Sequence, residues 1–72
     1  MHAMPLAYVH LGEPTVIRKI SGKDETKRFL ESLGFTVGSE VTILNEMGGH
    51  VIVCVKDSRV AIDKAMAMRI IV

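Results

Sequence analysis

Val41-Thr42-Ile43-Leu44-Asn45-Glu46-Met47-Gly48-Gly49-His50-Val51-Ile52-Val53-Cys54-Val55-Lys56 reads as two strands folded about one tight turn. Val41 and Ile43 share one face of the first strand and Thr42 and Leu44 the other, as a two-residue period requires. The second strand, His50 to Lys56, is apolar on both faces, with Val51, Val53 and Val55 against Ile52 and Cys54. That pattern predicts a central strand covered on both sides. Between them, Gly48 and Gly49 permit the positive φ angles of a two-residue hairpin connection.

Working outward, Arg59 to Ile62 follows across the Asp57-Ser58 turn as a third strand, and Asp63 is placed to cap a single helical turn over Lys64-Ala65-Met66. Met68, Ile70 and Val72 then alternate inward against Arg69 and Ile71. Upstream, Pro14 to Ile20 is rich in β-branched residues but alternates poorly, because Val16 and Ile17 are adjacent. One segment breaks the β pattern. Thr26, Phe29, Leu30 and Leu33 recur at the spacing of one helix face, while Lys27, Arg28 and Glu31 take the other. The reading is a helix over about residues 23–33, with Ser21 as its N-cap, Asp24 and Glu25 in its first turn and Gly34 closing it.

Seventy-two residues form one domain, read here as spanning 1–72. Five short strands and one helix are too many for an open sheet with exposed edges and too few for a sandwich, so the fold class is mainly β, a small partly open barrel with the helix over one opening. A chain this short has little core to work with. Its single cysteine, Cys54, excludes an internal disulfide and suits a reducing compartment. Residues 1–4 carry no pattern and read as extra or loose N-terminal chain, with Met4 a plausible true start. No leader and no run of the ~20 apolar residues needed to span a bilayer is seen, so a soluble, unprocessed protein without membrane insertion is expected.

Composition also narrows function. A net charge of +1, with the charges of Lys23, Asp24, Glu25, Lys27, Arg28 and Glu31 interleaved, lacks the clustered positive field that nucleic acid demands, so no nucleic-acid partner is expected. Ser21, Ser39 and Ser58 fall at turns, where serine caps and bends the backbone, and Cys54 sits in the most apolar stretch, where burial disfavours the reactive thiolate. No catalytic residue is expected. Gly34 to Gly38 matches neither phosphate-loop pattern. An aromatic groove for proline-rich ligands is also improbable, with Tyr8, Phe29 and Phe35 the only aromatics.

A metal site would have to draw on His10, His50 and Cys54, together with His2. His50 and Cys54 on one extended strand would stand about 13 Å apart, too far to share an ion, and no pair has metal-site spacing. No cofactor is firmly implied; a ferrous ion is the candidate. Five methionines are many for this length, and Met is adaptable at partner surfaces. A partner surface is accordingly expected around the Leu33-Gly34-Phe35 turn, the Met47 hairpin tip and the Met66–Met68 strand. An apolar barrel edge could also drive weak self-association.

In order, the succession Pro5-Leu6, Gly12, Ile17-Arg18-Lys19-Ile20, Leu30-Glu31-Ser32-Leu33-Gly34-Phe35, Gly38-Ser39-Glu40-Val41, Gly48-Gly49, Ile52-Val53, Arg59-Val60-Ala61-Ile62 and Ala67-Met68-Arg69-Ile70-Ile71-Val72 resembles the FeoA family, from Met4 to the last residue. Val37 stands where a proline often precedes the glycine, and Asp57-Ser58 replaces a frequent glycine. The resemblance implies an SH3-like five-stranded barrel with the helix inserted. It also implies a cytoplasmic, non-enzymatic accessory of ferrous iron transport acting by contact with the cytosolic part of the FeoB permease. The same barrel closes metal-dependent repressors, so the alternative is a stand-alone relative of that domain that binds a transition metal ion.

Overall fold

The computed structural model describes residues 3–22 and 24–72; Met1, His2 and Lys23 lie outside the described residues. In chain order the elements are a 3-10 turn (Leu6–Tyr8), β1 (Thr15–Val16), β2 (Lys19–Ile20), α1 (Asp24–Ser32), β3 (Glu40–Met47), β4 (His50–Val55), β5 (Ser58–Asp63), α2 (Lys64–Ala67) and β6 (Ile70–Ile71). All pairing is antiparallel. One sheet runs β1-β3-β4-β5 and a second pairs β2 with β6.

The first expected strand is two strands, and the poor alternation around Val16 and Ile17 is the reason. Ile17 N–H donates to the Ser39 carbonyl at 2.9 Å, whereas Arg18 N–H donates to the Ile71 carbonyl at 2.8 Å. Within one residue the chain leaves β3 and joins β6. The adjacent apolar pair divides at that corner, Val16 outward and Ile17 buried in the core.

The hairpin forms at the expected place. Met47 pairs with His50 around Gly48 and Gly49, both at positive φ. In β3 the ladder shifts between Ile43 and Asn45, leaving Leu44 as a bulge exposed to solvent, so the alternation of Val41 and Ile43 stops there. β4 is central, but it is not covered on both faces. Val51, Val53 and Val55 are buried, while Ile52 and Cys54 are only half-buried on the outer face of the sheet.

Helix α1 buries less than its spacing suggests. Leu30 is fully buried, Thr26 and Leu33 are half-buried, and Phe29 is exposed, so of the residues at that spacing only Leu30 lies wholly in the core. Ser21, expected to cap it, directs its hydroxyl and its N–H to the Arg69 carbonyl, at 3.3 and 2.8 Å, and so extends the β2–β6 pairing. The C-terminus closes as expected. Gly34 N–H donates to the Glu31 carbonyl and Phe35 N–H to the Leu30 carbonyl, both at 3.0 Å, with Gly34 at φ 106°. This double bond pattern brings the side chains of Leu30 and Phe35 together in the core.

Asp63 caps α2, its Oδ1 accepting from the Met66 N–H at 2.8 Å. Met68 belongs to the end of this helix with helical dihedrals, so it is exposed at 37% and does not alternate inward with the buried Ile70. At the other end of the chain, Met4 N–H donates to the Val72 carbonyl at 3.0 Å and Val72 N–H returns a bond to Met4 at 2.8 Å.

Candidate functional site

The partner surface read from the sequence separates into two places. Phe35 is wholly buried, so it cannot touch a partner; its apolar ring belongs to the core beside Leu30. Leu33 is half-buried at the end of α1, where a Cβ on neighbouring Gly34 would come 3.7 Å from both Val55 and Lys56. Met47, exposed at 62%, pairs with His50 at the opposite end of β4. About 17 Å of extended strand separates those ends. Helix α2 belongs with Met47: Lys64 N–H donates to the Gly49 carbonyl at 2.9 Å and Lys64 Nζ meets Glu46 Oε1 at 3.5 Å. Met66 on that helix is half-buried against the core.

The larger feature lies elsewhere, along the N-terminal arm, of which the sequence reading took only His10 as a candidate site residue. Leu6 is fully buried and anchors the 3-10 turn, with Tyr8 N–H on the Pro5 carbonyl and Val9 N–H on the Leu6 carbonyl, each at 3.0 Å. Anchoring one side of so tight a turn turns Tyr8 outward, exposed at 60%. The chain returns through Gly12, whose N–H donates to the Ile43 carbonyl at 2.8 Å, and Thr15 adds its hydroxyl to the Val41 carbonyl at 3.3 Å. Between this arm and β1 lies a depression of about 350 Å³ lined by Met4, Tyr8, Val9, His10, Glu13, Thr15, Arg18 and Val72. A second, of about 320 Å³, is lined by Glu13, Pro14, Thr15, Val16, Arg18 and Val72. Four shared residues make them one groove, apolar at Met4, Tyr8 and Val16 and charged at Glu13 and Arg18. A mixed groove of this kind suits a polypeptide segment with apolar anchors and a few polar contacts.

The metal candidates stay apart. His10 lies in the groove, His50 at the hairpin end of β4, and half-buried Cys54 towards its other end, beside a depression of about 240 Å³ that it shares with Ser39, Glu40, Thr42, Lys56 and Asp57. His2 lies outside the described residues. Among the described residues no three His, Cys, Asp or Glu side chains gather to hold an ion, so the donor set for a resident metal is not assembled there. Nor is any helix among them long and apolar enough to cross a membrane.

The whole architecture recurs in known proteins. A protein of Methanocaldococcus jannaschii, provisionally named Fe(2+) transport protein A, is 34% identical over 68 residues, covering 94% of this chain and 83% of that protein. The crystal structure of an iron uptake regulatory protein, FeoA, superposes with a TM-score of 0.89 at 30% identity, covering 99% of this chain and 95% of that one. A zinc-complexed FeoA of Stenotrophomonas maltophilia, described as a prokaryotic SH3 domain protein, gives 0.81 at 27% identity, covering 93% and 86%. A manganese-dependent transcriptional repressor shares the fold alone, at 0.86 and 23% identity, with this chain covering 97% of itself and 40% of the repressor. The fold is thus mainly β and SH3-like, with the helix inserted after the first strands. Residues 4–72, from the Met4–Val72 pairing inward, match the FeoA domain throughout, and the chain belongs to the FeoA family of ferrous iron transport accessory proteins.

Proposed function

We propose that this chain acts without catalysis, on the cytoplasmic side of the membrane, by binding the cytosolic part of a FeoB-type ferrous iron permease through the groove between its N-terminal arm and β1. Family membership supports the iron transport setting. The observation that carries the site is Tyr8, an aromatic ring held 60% exposed over a groove by a fully buried neighbour, Leu6. A rigid aromatic on a fixed backbone loses little entropy on docking, and such residues concentrate binding energy at interfaces. Glu13 and Arg18 supply opposite charges in the same groove, which favour one orientation of a partner segment.

The test is calorimetric titration of the permease's cytosolic part into the wild-type chain and into Tyr8→Ala. Binding by the wild type that weakens at least about tenfold in the variant supports the reading. Equal binding by both moves the site away from the groove, and no binding by the wild type removes the permease's cytosolic part as partner. The metal-binding alternative draws on the zinc-complexed relative, but among the described residues the donors it would use do not converge.

A further inference from the structure

We propose that the outer edge of β5 pairs with the β5 edge of a second copy of this chain, forming a two-fold dimer with one continuous eight-stranded sheet. β5 is the end strand of its sheet, and among the described residues its outward side has no backbone partner.

Hydrogen bonding sets which residues face that edge. The two-residue turn at Lys56 and Asp57 closes on the Val55–Ser58 pair, and Lys64 N–H donates to the Gly49 carbonyl at 2.9 Å. Amides in an antiparallel ladder alternate in direction. Ser58, Val60, Ile62 and Lys64 therefore address β4, while Arg59, Ala61 and Asp63 direct their amides outward.

Self-complementarity selects a second copy over any other strand. Antiparallel pairing centred on Ala61 sets Ala61 opposite itself, Val60 opposite Ile62, and Arg59 opposite the second copy's Asp63, twice by symmetry. Arg59 is exposed and has no ion-pair partner in its own chain among the described residues. Asp63 uses Oδ1 for its cap and keeps Oδ2 for a guanidinium. Opposite charges directly across a ladder stabilise it, and the smallest side chain bearing a Cβ stands at the axis.

The edge also lacks protection. Natural edges are blunted by charged side chains, proline or a bulge; residues 58–63 carry no proline or bulge, keep unbroken register with β4, and bear only the two charges, Arg59 and Asp63, that this pairing sets against each other. Val60 stays half-buried while Val53, its partner across the ladder, is fully buried, so the inner side of the edge is left incomplete in one copy. A six-residue edge is small beside the ~1,200–2,000 Å² of a standard interface, which makes this a weak, concentration-dependent dimer.

The experiment is sedimentation equilibrium of the full chain from about 10 μM to about 1 mM, where a weak interface of this size associates. The wild type is expected to shift from monomer to dimer over that range. Arg59→Asp sets one carboxylate against another in each of the two pairs, and Ala61→Pro removes the outward amide at the axis without touching the β4 ladder; each raises the dimer dissociation constant at least about tenfold. Arg59→Asp alters an exposed side chain, so it decides the matter if the proline variant fails to fold. A monomer at every concentration, or a dimer that Arg59→Asp leaves unchanged, overturns the proposal.

Discussion

Met4 and Val72 exchange both backbone hydrogen bonds, at 3.0 and 2.8 Å, so the two ends of the FeoA domain close on each other as one strand pair beside the groove. Both residues line it. The groove wall is therefore built from chain segments that the rest of the fold must first bring together.

Leu6 is the residue that holds the arm in place. Leu6→Ala should destabilise the domain by about 2–4 kcal/mol, whereas Tyr8→Ala, two residues on but exposed, should change stability by about 0.5 kcal/mol or less. Urea unfolding of the two variants checks this, and equal effects would contradict the anchoring role.

Phe35→Ala should cost about 3–5 kcal/mol, most of the stability available to a domain of this size. Loss of near-wild-type thermal unfolding is the expected result. A stably folded variant with impaired permease binding would instead restore Phe35 as a contact residue.

The Lys56–Asp57 turn carries two non-glycine residues at positive φ, 47° and 64°. Left-handed backbone costs an ordinary side chain about 1 kcal/mol, and Asn-Gly is the preferred pair for this turn. The double substitution Lys56→Asn with Asp57→Gly should raise stability by about 1 kcal/mol, read as a melting temperature about 4–8 °C higher. A lower melting temperature would show that Lys56, packed beside Gly34, contributes more by contact than its backbone costs.

Asp63→Ala removes the acceptor for the Met66 N–H and should cost about 1 kcal/mol. Chemical denaturation measures it. An unchanged midpoint would mean that α2 is held by Ala67 in the core alone.

What the sequence disclosed is what neighbouring residues decide. The Leu33-Gly34-Phe35 closure, the Gly48-Gly49 turn and the Asp63 cap each depend on a few adjacent residues, and each stands where the sequence placed it. The split of the first strand was present only as the awkward Val16-Ile17 adjacency, because its cause, the exchange of Ser39 for Ile71 as acceptor, lies at remote positions. Phe29 and Met68 satisfied a spacing without being buried, since spacing records a face and not how far the core extends. The groove was illegible for the same reason. Tyr8, Arg18 and Val72 meet only after the sheets have formed, and nothing local marks Tyr8 as exposed.

The most direct test of the groove reading is an amide NMR titration of labelled protein with the permease's cytosolic part. Shifts are predicted at Met4, Tyr8, His10, Val16 and Val72, with Met47 and α2 unmoved. Shifts confined to the Met47 tip and α2, or an unchanged spectrum at saturating partner, would contradict it.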